Sequence, residues 1–248
     1  NKMLNEEELK EKILPCDIIY NDADSPLAIE LVKTIEAFGK RVIDSSKTYY
    51  YTEDKWMFYL KCEKHHISIP ETILLPSSLP GVKEELKTFR HWPVILKRVD
   101  LSRGRFVEKA DTLAQALRLI KRYWRKSDDR SPIIVQEFIK SYSYRVLILD
   151  GKIIQTAVKR GYGWKLTGEY AKRFWRFKPD KELRDILRKV AAFTHIKILG
   201  IDLLKKNRHW IVLEANAQPD STFFESDKEK VREKILSYLK KMAVTQES

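Results

Sequence analysis

The chain has 248 residues, of which 43% are hydrophobic, 11% aromatic and 33% charged. This composition excludes a disordered chain, and the length allows one large domain or two to three closely packed subdomains. Because no apolar run approaches the ~20 residues that span a bilayer, we expect no membrane partner. The net charge of +13 favours anionic partners such as nucleotides, carboxylated or phosphorylated substrates, or RNA, without choosing among them.

The cysteines and the first residues indicate a compartment. Cys16 and Cys62 lie in unrelated contexts without metal-type spacing, and the amino-terminal stretch lacks the apolar core of a secretion signal. We therefore expect a cytoplasmic protein. The oligomeric state stays open, with a homo-oligomer compatible with the sequence.

The first half of the chain alternates strand-like and helical patterns. Residues 16–20 and 41–44 predict strands, and apolar positions between Leu27 and Phe38 recur at helical spacing. Strand, helix, strand in this order predicts a short parallel sheet. Later patterns predict helices over 54–62 and 82–89, a strand over 93–97, a strand from 106 and a helix from 111.

The second half predicts antiparallel strands. Asp150-Gly151 is a strong hairpin signal between the runs 144–149 and 152–159. The remaining predicted elements are strands over 133–138, 201–204 and 210–216 and helices over 181–193 and 228–242. The sequence therefore predicts an α+β protein.

Oxygen-bearing side chains cluster on the last predicted hairpin. Glu214 and Asn216, two residues apart on one strand, point the same way, and Asp202 lies on the preceding strand. Oxygen ligands suit Mg²⁺, whereas the alternative is ordinary polar residues at strand ends. An acidic residue within the run Val-Leu-Glu-Ala is costly without a compensating cation, which favours the metal.

Two further segments suit a nucleotide. Lys97 ends an apolar strand, which fits either a phosphate contact or a solvated strand end. The loop at 100–105 places two arginines around Gly104, a weak pattern for a phosphate-covering loop. Gln136 and Glu137 interrupt an apolar strand, as expected for an adenine-facing backbone with a carboxylate beside it, or for a salt-bridged edge strand.

Five segments in this order resemble the ATP-grasp superfamily, and within it the RimK-like amide ligases. The resemblance runs from about Asp17 to Glu225. The segments are Asp54-Lys55 with Ile69-Pro70-Glu71-Thr72, then Val94-Ile95-Leu96-Lys97, Val135-Gln136-Glu137-Phe138-Ile139, Tyr144-Arg145-Val146, and Gly200-Ile201-Asp202 with Glu214-Ala215-Asn216-Ala217-Gln218-Pro219.

The resemblance implies an ATP-grasp fold, in which two α+β subdomains grip ATP, preceded by a short α/β segment. It implies a truncated pre-ATP-grasp segment at 1–53, a lid subdomain at 54–132 and a carboxyl-terminal subdomain with the metal site at 133–248.

The resemblance also implies a reaction and its residues. ATP and Mg²⁺ or Mn²⁺ activate a substrate carboxylate as an acylphosphate, and an amine then displaces phosphate to form an amide. The implied catalytic residues are Arg145, Lys97 and Arg160. The implied nucleotide contacts are Lys55, Lys97, Ser102, Gly104, Gln136, Glu137, Phe138, Ile139 and Lys165. The implied metal ligands are Asp202, Glu214 and Asn216.

Departures from the family pattern fall on the ribose, lid and acceptor contacts. Ser143 stands where the family has Asp, Phe106 lies where a second lid glycine is usual, and the acceptor-side Asn has no clear counterpart after Arg160. ATP use is therefore better supported than any particular substrate.

Two other functions stay open. ATP-grasp relatives include kinases that phosphorylate a hydroxyl, and the net charge suits a polyanionic acceptor. A non-catalytic RNA-binding module is the second alternative, because aromatic and basic residues interleave from Tyr162 to Phe177.

Overall fold

The computed structural model describes residues 5–99, 106–125, 130–165, 171–220 and 223–244, with Lys172 described in its backbone only. The described strands are β1 (Ile19–Tyr20), β2 (Val42–Ile43), β3 (Thr72–Leu74), β4 (Val94–Arg98), β5 (Val107–Ala110), β6 (Ile133–Glu137), β7 (Ser143–Leu149), β8 (Lys152–Gly161), β9 (Ala171–Trp175), β10 (Ile198–Lys206) and β11 (His209–Asn216). The described α-helices are α1 (Glu6–Ile13), α2 (Pro26–Ala37), α3 (Tyr50–Glu53), α4 (Lys55–Lys64), α5 (Leu79–Thr88), α6 (Leu113–Arg125), α7 (Lys181–Thr194) and α8 (Glu225–Val244).

The first unit contains the predicted parallel pair. β1 and β2 run parallel, with Ile19 opposite Val42. Between them α2 begins at Pro26, where proline lacks only an N–H that would have no partner inside the helix, and the Ser25 side chain caps it. The strand–helix–strand prediction is confirmed, although both strands are shorter than their sequence patterns.

The second layer is a four-stranded antiparallel sheet in the order β3-β6-β4-β5, called here the lid sheet. Alternation along β4 turns Val94 and Leu96 into a core that α5 and α6 share, while Lys97 points to the opposite face. β6 belongs to this sheet, although it lies just beyond the predicted subdomain boundary at 132.

The third layer is a five-stranded antiparallel sheet in the order β11-β10-β7-β8-β9, called here the large sheet. Its apolar face carries Val146, Leu199 and Ile201, which pack in one core with Leu183 and Leu187 of α7. The opposite face holds charged side chains at its centre. This separation follows from the period of two along each strand.

Sequence patterns missed several short elements. α5 begins at Leu79 rather than at 82, because Ser78 caps it and Pro80 is tolerated in a first turn. β3 lies in the proline-rich crossing and pairs with β6, and β9 pairs with β8. A three-residue strand such as β3 carries too little alternation to be recognised without its partner, and the sequence of β9, Ala-Lys-Arg-Phe-Trp, has no alternation of apolar and polar residues.

No helix in the described part of the chain is both long and apolar enough to cross a bilayer.

Asp44, which follows β2, ties the first unit to the large sheet. Its carboxylate accepts hydrogen bonds from the backbone N–H groups of Lys197 at 2.6 Å and Ile198 at 3.0 Å. Burial raises the pKa of Asp44 to about 6, and the two N–H groups and the nearby Lys197 charge oppose this only in part. The carboxyl therefore binds its proton more tightly in the folded chain than in the unfolded one.

We expect the contribution of Asp44 to stability to depend on pH. The protonated carboxyl stabilises the fold fully below the unfolded pKa of about 3.9, and this contribution is lost as the pH rises through about 6. The free energy of unfolding of wild type and of Asp44→Asn is measured by denaturant at pH 4 and at pH 7. Between these pH values wild type should lose up to about 3 kcal/mol of stability relative to the variant. Asp17→Asn, at an exposed position, is the control, and a pH-independent difference for Asp44→Asn would contradict the assignment.

Candidate active site

Charged residues from neighbouring strands of the large sheet form one row. The register places Glu214 of β11 opposite Asp202 of β10, and Asp202 opposite Arg145 of β7. Lys159 of β8 lies opposite Ser143, two residues from Arg145 on β7. Directly paired residues in antiparallel strands share a face, so all four side chains point to the side away from α7.

The Asp202 carboxylate is held by two cations. Its Oδ1 atom accepts a hydrogen bond from Arg145 Nε at 2.8 Å and from Lys159 Nζ at 2.8 Å, and its Oδ2 atom accepts one from Arg145 Nη2. Burial favours the neutral acid, but the charges of Arg145 and Lys159 outweigh it and hold the pKa of Asp202 well below its usual range. The three side chains therefore form a buried ion triad.

Packing around the triad leaves little freedom. A Cβ atom on Gly200 would lie 2.5 Å from Cβ of Pro219 and 3.3 Å from Nη1 of Arg145, so only glycine lets both approach. The Phe223 ring lies over Arg145 and Lys159, with its centroid 5.8 Å from the guanidinium carbon and 5.9 Å from Nζ. The aromatic ring and the close backbone approach keep the triad in one arrangement.

The lid sheet contributes a buried lysine to the same region. Lys97 Nζ donates to Oε1 of Gln136 at 2.7 Å, and Nε2 of Gln136 donates to Oγ1 of Thr72 at 3.0 Å. Gln136, predicted as a nucleotide contact, thus holds Lys97. Burial, together with the nearby Lys55, lowers the pKa of Lys97 to about 8, while Glu214 and Asp202 oppose the shift.

α4 brings Lys55 and Tyr59 to this region. The Asp54 side chain caps the helix through the backbone N–H of Met57 at 3.0 Å, so the predicted Asp-Lys pair starts α4 with Lys55, which is buried. One turn later, Tyr59 donates its hydroxyl hydrogen to the carbonyl of Leu213 at 2.9 Å. The charge of Lys55 acts on Lys97, so the predicted lysine pair lies together.

A register shift in the last hairpin explains the contact of Tyr59. Asp202 pairs with Glu214, but Leu203 pairs with Val212, so Leu213 is passed over as a β-bulge. The carbonyl of this bulge residue accepts the hydroxyl hydrogen of Tyr59, so α4 contacts the last hairpin at its bulge. The bulge brings Glu214, rather than Leu213, opposite Asp202.

Glu137 has a structural role at the hinge between the two sheets. Its Oε1 atom accepts the backbone N–H of Glu71 at 3.0 Å, and its Oε2 atom lies 2.5 Å from Lys206 Nζ at the end of β10. This carboxylate was predicted to take adenine or ribose hydrogens. Instead its two oxygens join the lid sheet to the large sheet, and the nucleotide role predicted for Glu137 stays a prediction.

The residues after β6 lie between the sheets as expected for a hinge. Phe138 donates its backbone N–H to Pro93 at 3.1 Å, and its ring contacts Trp164 edge-on at 6.4 Å. Ile139 follows and is half-buried. Lys165 Nζ approaches the carbonyl of Val107 on the lid sheet at 3.4 Å. Phe138 and Lys165 thus link the β8–β9 connection to the lid sheet.

Arg160 does not join the charged row. It follows Lys159 on β8, so its side chain points to the opposite face, where it lies exposed over the ring of Tyr142 at 5.8 Å. Lys159, which was not among the predicted site residues, lies in the row instead of Arg160, and the catalytic role predicted for Arg160 stays a prediction. Alternation along β8 decides which of Lys159 and Arg160 faces the row. A β-bulge in β8 shifts this alternation relative to β7, and the sequence pattern does not show the bulge.

Glu214 and Asn216, both predicted as metal ligands, share one face of the large sheet, and their role as ligands stays a prediction. Both side chains lie on the face of Asp202, because Gly200 pairs with Asn216 and Asp202 with Glu214. Nδ2 of Asn216 is buried without a hydrogen-bond partner; this atom is a donor, so only the amide oxygen of Asn216 could contact a cation. No cluster of three or more His, Cys, Asp or Glu residues arranged for a metal occurs in the described part of the chain, so phosphate oxygens would have to complete the shell.

Ser102 and Gly104, both predicted to contact the nucleotide, lie outside the described residues.

In the stretch from Tyr162 to Phe177, considered above for RNA binding, most of the described aromatic rings pack against other rings of the protein. Phe177 stacks on Trp210 with centroids 5.6 Å apart, Phe174 packs against Phe223 at 5.5 Å, and Trp175 contacts Tyr142 at 5.4 Å. These contacts cover part of each ring, whereas Tyr162 is 86% exposed and Trp175 is 38% exposed. The RNA alternative therefore stays a hypothesis.

Comparison with known proteins decides the family. A sequence model described as the RimK-like ATP-grasp domain matches residues 52–239, which is more than half of the chain. The chain belongs to the RimK-like ATP-grasp family. Among its relatives, the coenzyme gamma-F420-2:alpha-L-glutamate ligase of Methanocaldococcus jannaschii is 25% identical over 233 residues, covering 89% of this chain and 78% of that protein.

Other RimK-like and ATP-grasp proteins agree with the assignment. The alpha-aminoadipate–LysW ligase LysX of Sulfurisphaera tokodaii is 27% identical over 212 residues, covering 82% of this chain and 73% of that protein. The crystal structure of D-alanine–D-alanine ligase from Bacillus anthracis matches the fold with a TM-score of 0.78 over 98% of this chain and 85% of that chain, at 15% identity. The protein is thus an ATP-grasp enzyme of the carboxylate–amine ligase class, and the predicted α+β ATP-grasp fold is confirmed.

We expect Tyr59→Phe to destabilise this RimK-like protein by about 0.5–1.5 kcal/mol, because it removes the hydrogen bond that the buried Tyr59 hydroxyl donates to the Leu213 carbonyl. The variant should also weaken ATP binding, since the bulge sets the position of Glu214. Denaturant unfolding and nucleotide titration measure the two effects. Tyr162→Phe is the matched control, because Tyr162 is 86% exposed and should be neutral; equal behaviour of the two variants would contradict the role of Tyr59.

Proposed function

We propose that the protein uses ATP and a divalent cation to activate a carboxylate as an acylphosphate, which an amine converts to an amide. The observation that carries this proposal is the buried Lys97, which hydrogen-bonds to the neutral amide of Gln136 rather than to a carboxylate. A buried ammonium is costly unless an anion compensates it, and a nucleotide phosphate would supply that anion.

Each residue has a role that its position supports. Lys97 and Lys55 neutralise phosphate oxygens from the lid side, and Arg145 faces them from the large sheet. Positioning and charge neutralisation of this kind account for most of the catalysis of phosphoryl transfer. Phe138, Ile139 and the backbone of β6 remain our candidates for the adenine side.

Glu214 and Asn216 are the residues that would hold the cation. Their oxygens, with those of the phosphates, suit the hard ion Mg²⁺ or its substitute Mn²⁺. When bound, such an ion neutralises phosphate charge and fixes the orientation of the terminal phosphates.

The proposed reaction has two steps. A carboxylate oxygen attacks the γ-phosphorus of ATP, the bond to the β-phosphate oxygen breaks, and ADP leaves. The amine nitrogen, having lost its ammonium proton to solvent or base, then attacks the acyl carbon. Phosphate departs with the former carboxylate oxygen, and the nitrogen releases a second proton to the departing phosphate or to solvent as the amide forms. The surrounding cations stabilise the negative charge that develops at both stages.

We further propose an acidic amino acid or an acidic peptide end as one substrate. The names of the two relatives above specify glutamate and alpha-aminoadipate, and both compounds carry an extra carboxylate. The net charge of +13 is consistent with an anionic substrate.

We expect ATP binding to weaken above pH 8. Lys97 is charged below its pKa of about 8 and neutral above it, so its attraction for phosphate is lost as the pH rises. The dissociation constant of ATP should increase by up to about tenfold per pH unit between pH 8 and 9.5. In Lys97→Gln the affinity should be lower at pH 7 and this step should be absent; a wild-type step that persists in the variant would contradict the assignment.

Isotope transfer tests the reaction itself. With glutamate labelled with ¹⁸O in its carboxylates, a panel of amines and ATP, the released phosphate should carry one ¹⁸O atom, and release should require both the carboxylate and the amine. Glu214→Gln should reduce ADP formation at least a hundredfold with unchanged circular dichroism, while the exposed Glu229→Gln should match wild type.

Other products would replace the proposal. A γ-phosphate retained on a hydroxyl compound, without ¹⁸O transfer, would establish the kinase alternative. Absence of nucleotide binding at low salt, together with salt-dependent RNA binding, would establish the RNA-binding alternative.

A further inference from the structure

A basic groove lies where α6 meets β5, at the edge of the lid sheet. It has a volume of about 500 Å³, and its charged lining residues are Lys109, Asp111, Arg118, Lys121, Arg122 and Arg125. One ion pair joins its two walls, because Nη2 of Arg122 on α6 lies 2.9 Å from Oε1 of Glu108 on β5. We call this feature the β5–α6 groove.

Three cations of the groove lack a carboxylate partner. Arg118, Lys121 and Arg125 are exposed, and no carboxylate oxygen in the described part of the chain lies within 4 Å of their nitrogens. The other two basic residues of the groove form ion pairs within the fold. The groove therefore has a surplus of positive charge that the fold itself does not compensate.

The helix dipole accounts for part of this charge. Cations in the last turn of a helix are stabilised by its carbonyl end, which applies to Arg122 and Arg125. Arg118 lies about two turns before the end of α6, beyond the range of this effect. With Lys121 and Arg125 it recurs at spacings of three and four residues, so the three cations form one stripe over about 10 Å of the helix axis.

The other wall of the groove is the last strand of the lid sheet. β5 pairs with β4 on one side, and no described strand pairs with its other side. Lys165 approaches the carbonyl of Val107 at the start of β5, whereas the groove lies at its end, beside Lys109 and Asp111. The outer side of an edge strand presents backbone N–H and C=O groups with which an extended polypeptide can pair.

The two walls together favour a polypeptide over a nucleic acid. Alternate side chains of an extended chain are about 6.7 Å apart, so carboxylates on one face of a segment can reach more than one cation of the stripe. Strand pairing needs backbone amides, which a nucleic acid lacks. Single-stranded nucleic acids are bound largely by stacking of bases on aromatic side chains, and none of the residues that line the groove is aromatic.

We propose that the β5–α6 groove binds an extended acidic segment of a partner polypeptide. The backbone of the segment pairs with the outer side of β5, and its carboxylates contact Arg118, Lys121 and Arg125. The net charge of +13 adds a general attraction that accelerates association with such a segment. The inference is independent of the proposed reaction, because none of these three residues belongs to the candidate active site.

Fluorescence anisotropy tests the charged wall with a defined probe, a labelled peptide of five Glu-Thr repeats, at low salt and at about 0.15 M salt. We expect Arg118→Gln combined with Arg125→Gln to weaken peptide binding at least about fivefold, because two of the three unpaired cations are removed. Arg184→Gln combined with Arg188→Gln is the matched control, since it removes the same charge from the exposed face of α7. The control should change the affinity less than about twofold.

Two methylated forms of the peptide test the contact with β5. Successive N–H groups of an extended chain point to opposite sides, so N-methylation of every Glu and N-methylation of every Thr block different edges. We expect one form to bind wild type at least about fivefold more weakly than the parent peptide, and the other to bind like the parent. This comparison uses wild type alone and does not depend on the folding of any variant.

The remaining outcomes overturn the proposal. Absence of peptide binding at low salt, or equal losses in the α6 and α7 variants, would leave only attraction to net charge. Equal binding of both methylated peptides would exclude pairing with β5. Tighter binding of a uridine decanucleotide, reduced in the α6 variant, would assign the groove to nucleic acid.

Nucleotide binding separates this inference from the proposed function. Circular dichroism and the affinity for a non-hydrolysable ATP analogue should be the same in wild type and in the α6 variant. Failure of every form to bind the analogue would overturn the proposed function and leave the β5–α6 groove unaffected.

Discussion

A single buried carboxylate constrains most of the large sheet. Asp202 on β10 is bonded to Arg145 on β7 and Lys159 on β8, so one side chain joins three strands. Breaking a buried ion pair by removing one partner costs about 3–5 kcal/mol, which is a large part of the stability of a typical domain. The strands are therefore held in the register that also places Glu214 opposite Asp202, and structural integrity and the candidate active site depend on the same contact.

Buried polar contacts also hold the lid sheet in place. Two polar residues of the apolar strand β6 contact lysines. Gln136 accepts a hydrogen bond from Lys97, and Glu137 forms an ion pair with Lys206 of the large sheet. Lys97 is consequently presented from one sheet toward the charged row of the other. The hinge is thus defined by buried polar contacts, and a change at Glu137 would alter the relation between the sheets as well as the surroundings of a bound nucleotide.

Motif order and composition were sufficient for the family, the α+β class and most long elements. Lys97, Asp202, Glu214 and Asn216 could be selected from the sequence because polar residues within or at the ends of apolar strands are costly and therefore informative. Arg145 was implied only by the family resemblance. β3 could not be recognised because it has only three residues, and β9 could not because its sequence lacks apolar alternation; both are strands through their pairing with β6 and β8. The chemical identity of the carboxylate and the amine is not encoded in any of these patterns.

The sequence by itself determined which residue types are present and in what order, whereas the tertiary structure decided which of them share a face. In the β7–β8 hairpin the pairing from Leu149 and Lys152 would, if continued evenly, put Arg160 on the face of Arg145. A bulge between the pairs of Leu147 and Ile148 shifts the register by one residue and brings Lys159 there instead. The bulge at Leu213 does the same for Glu214. Because side chains alternate with a period of two, one extra residue inverts the face of every residue beyond it, and only the packed sheet fixes where that residue lies.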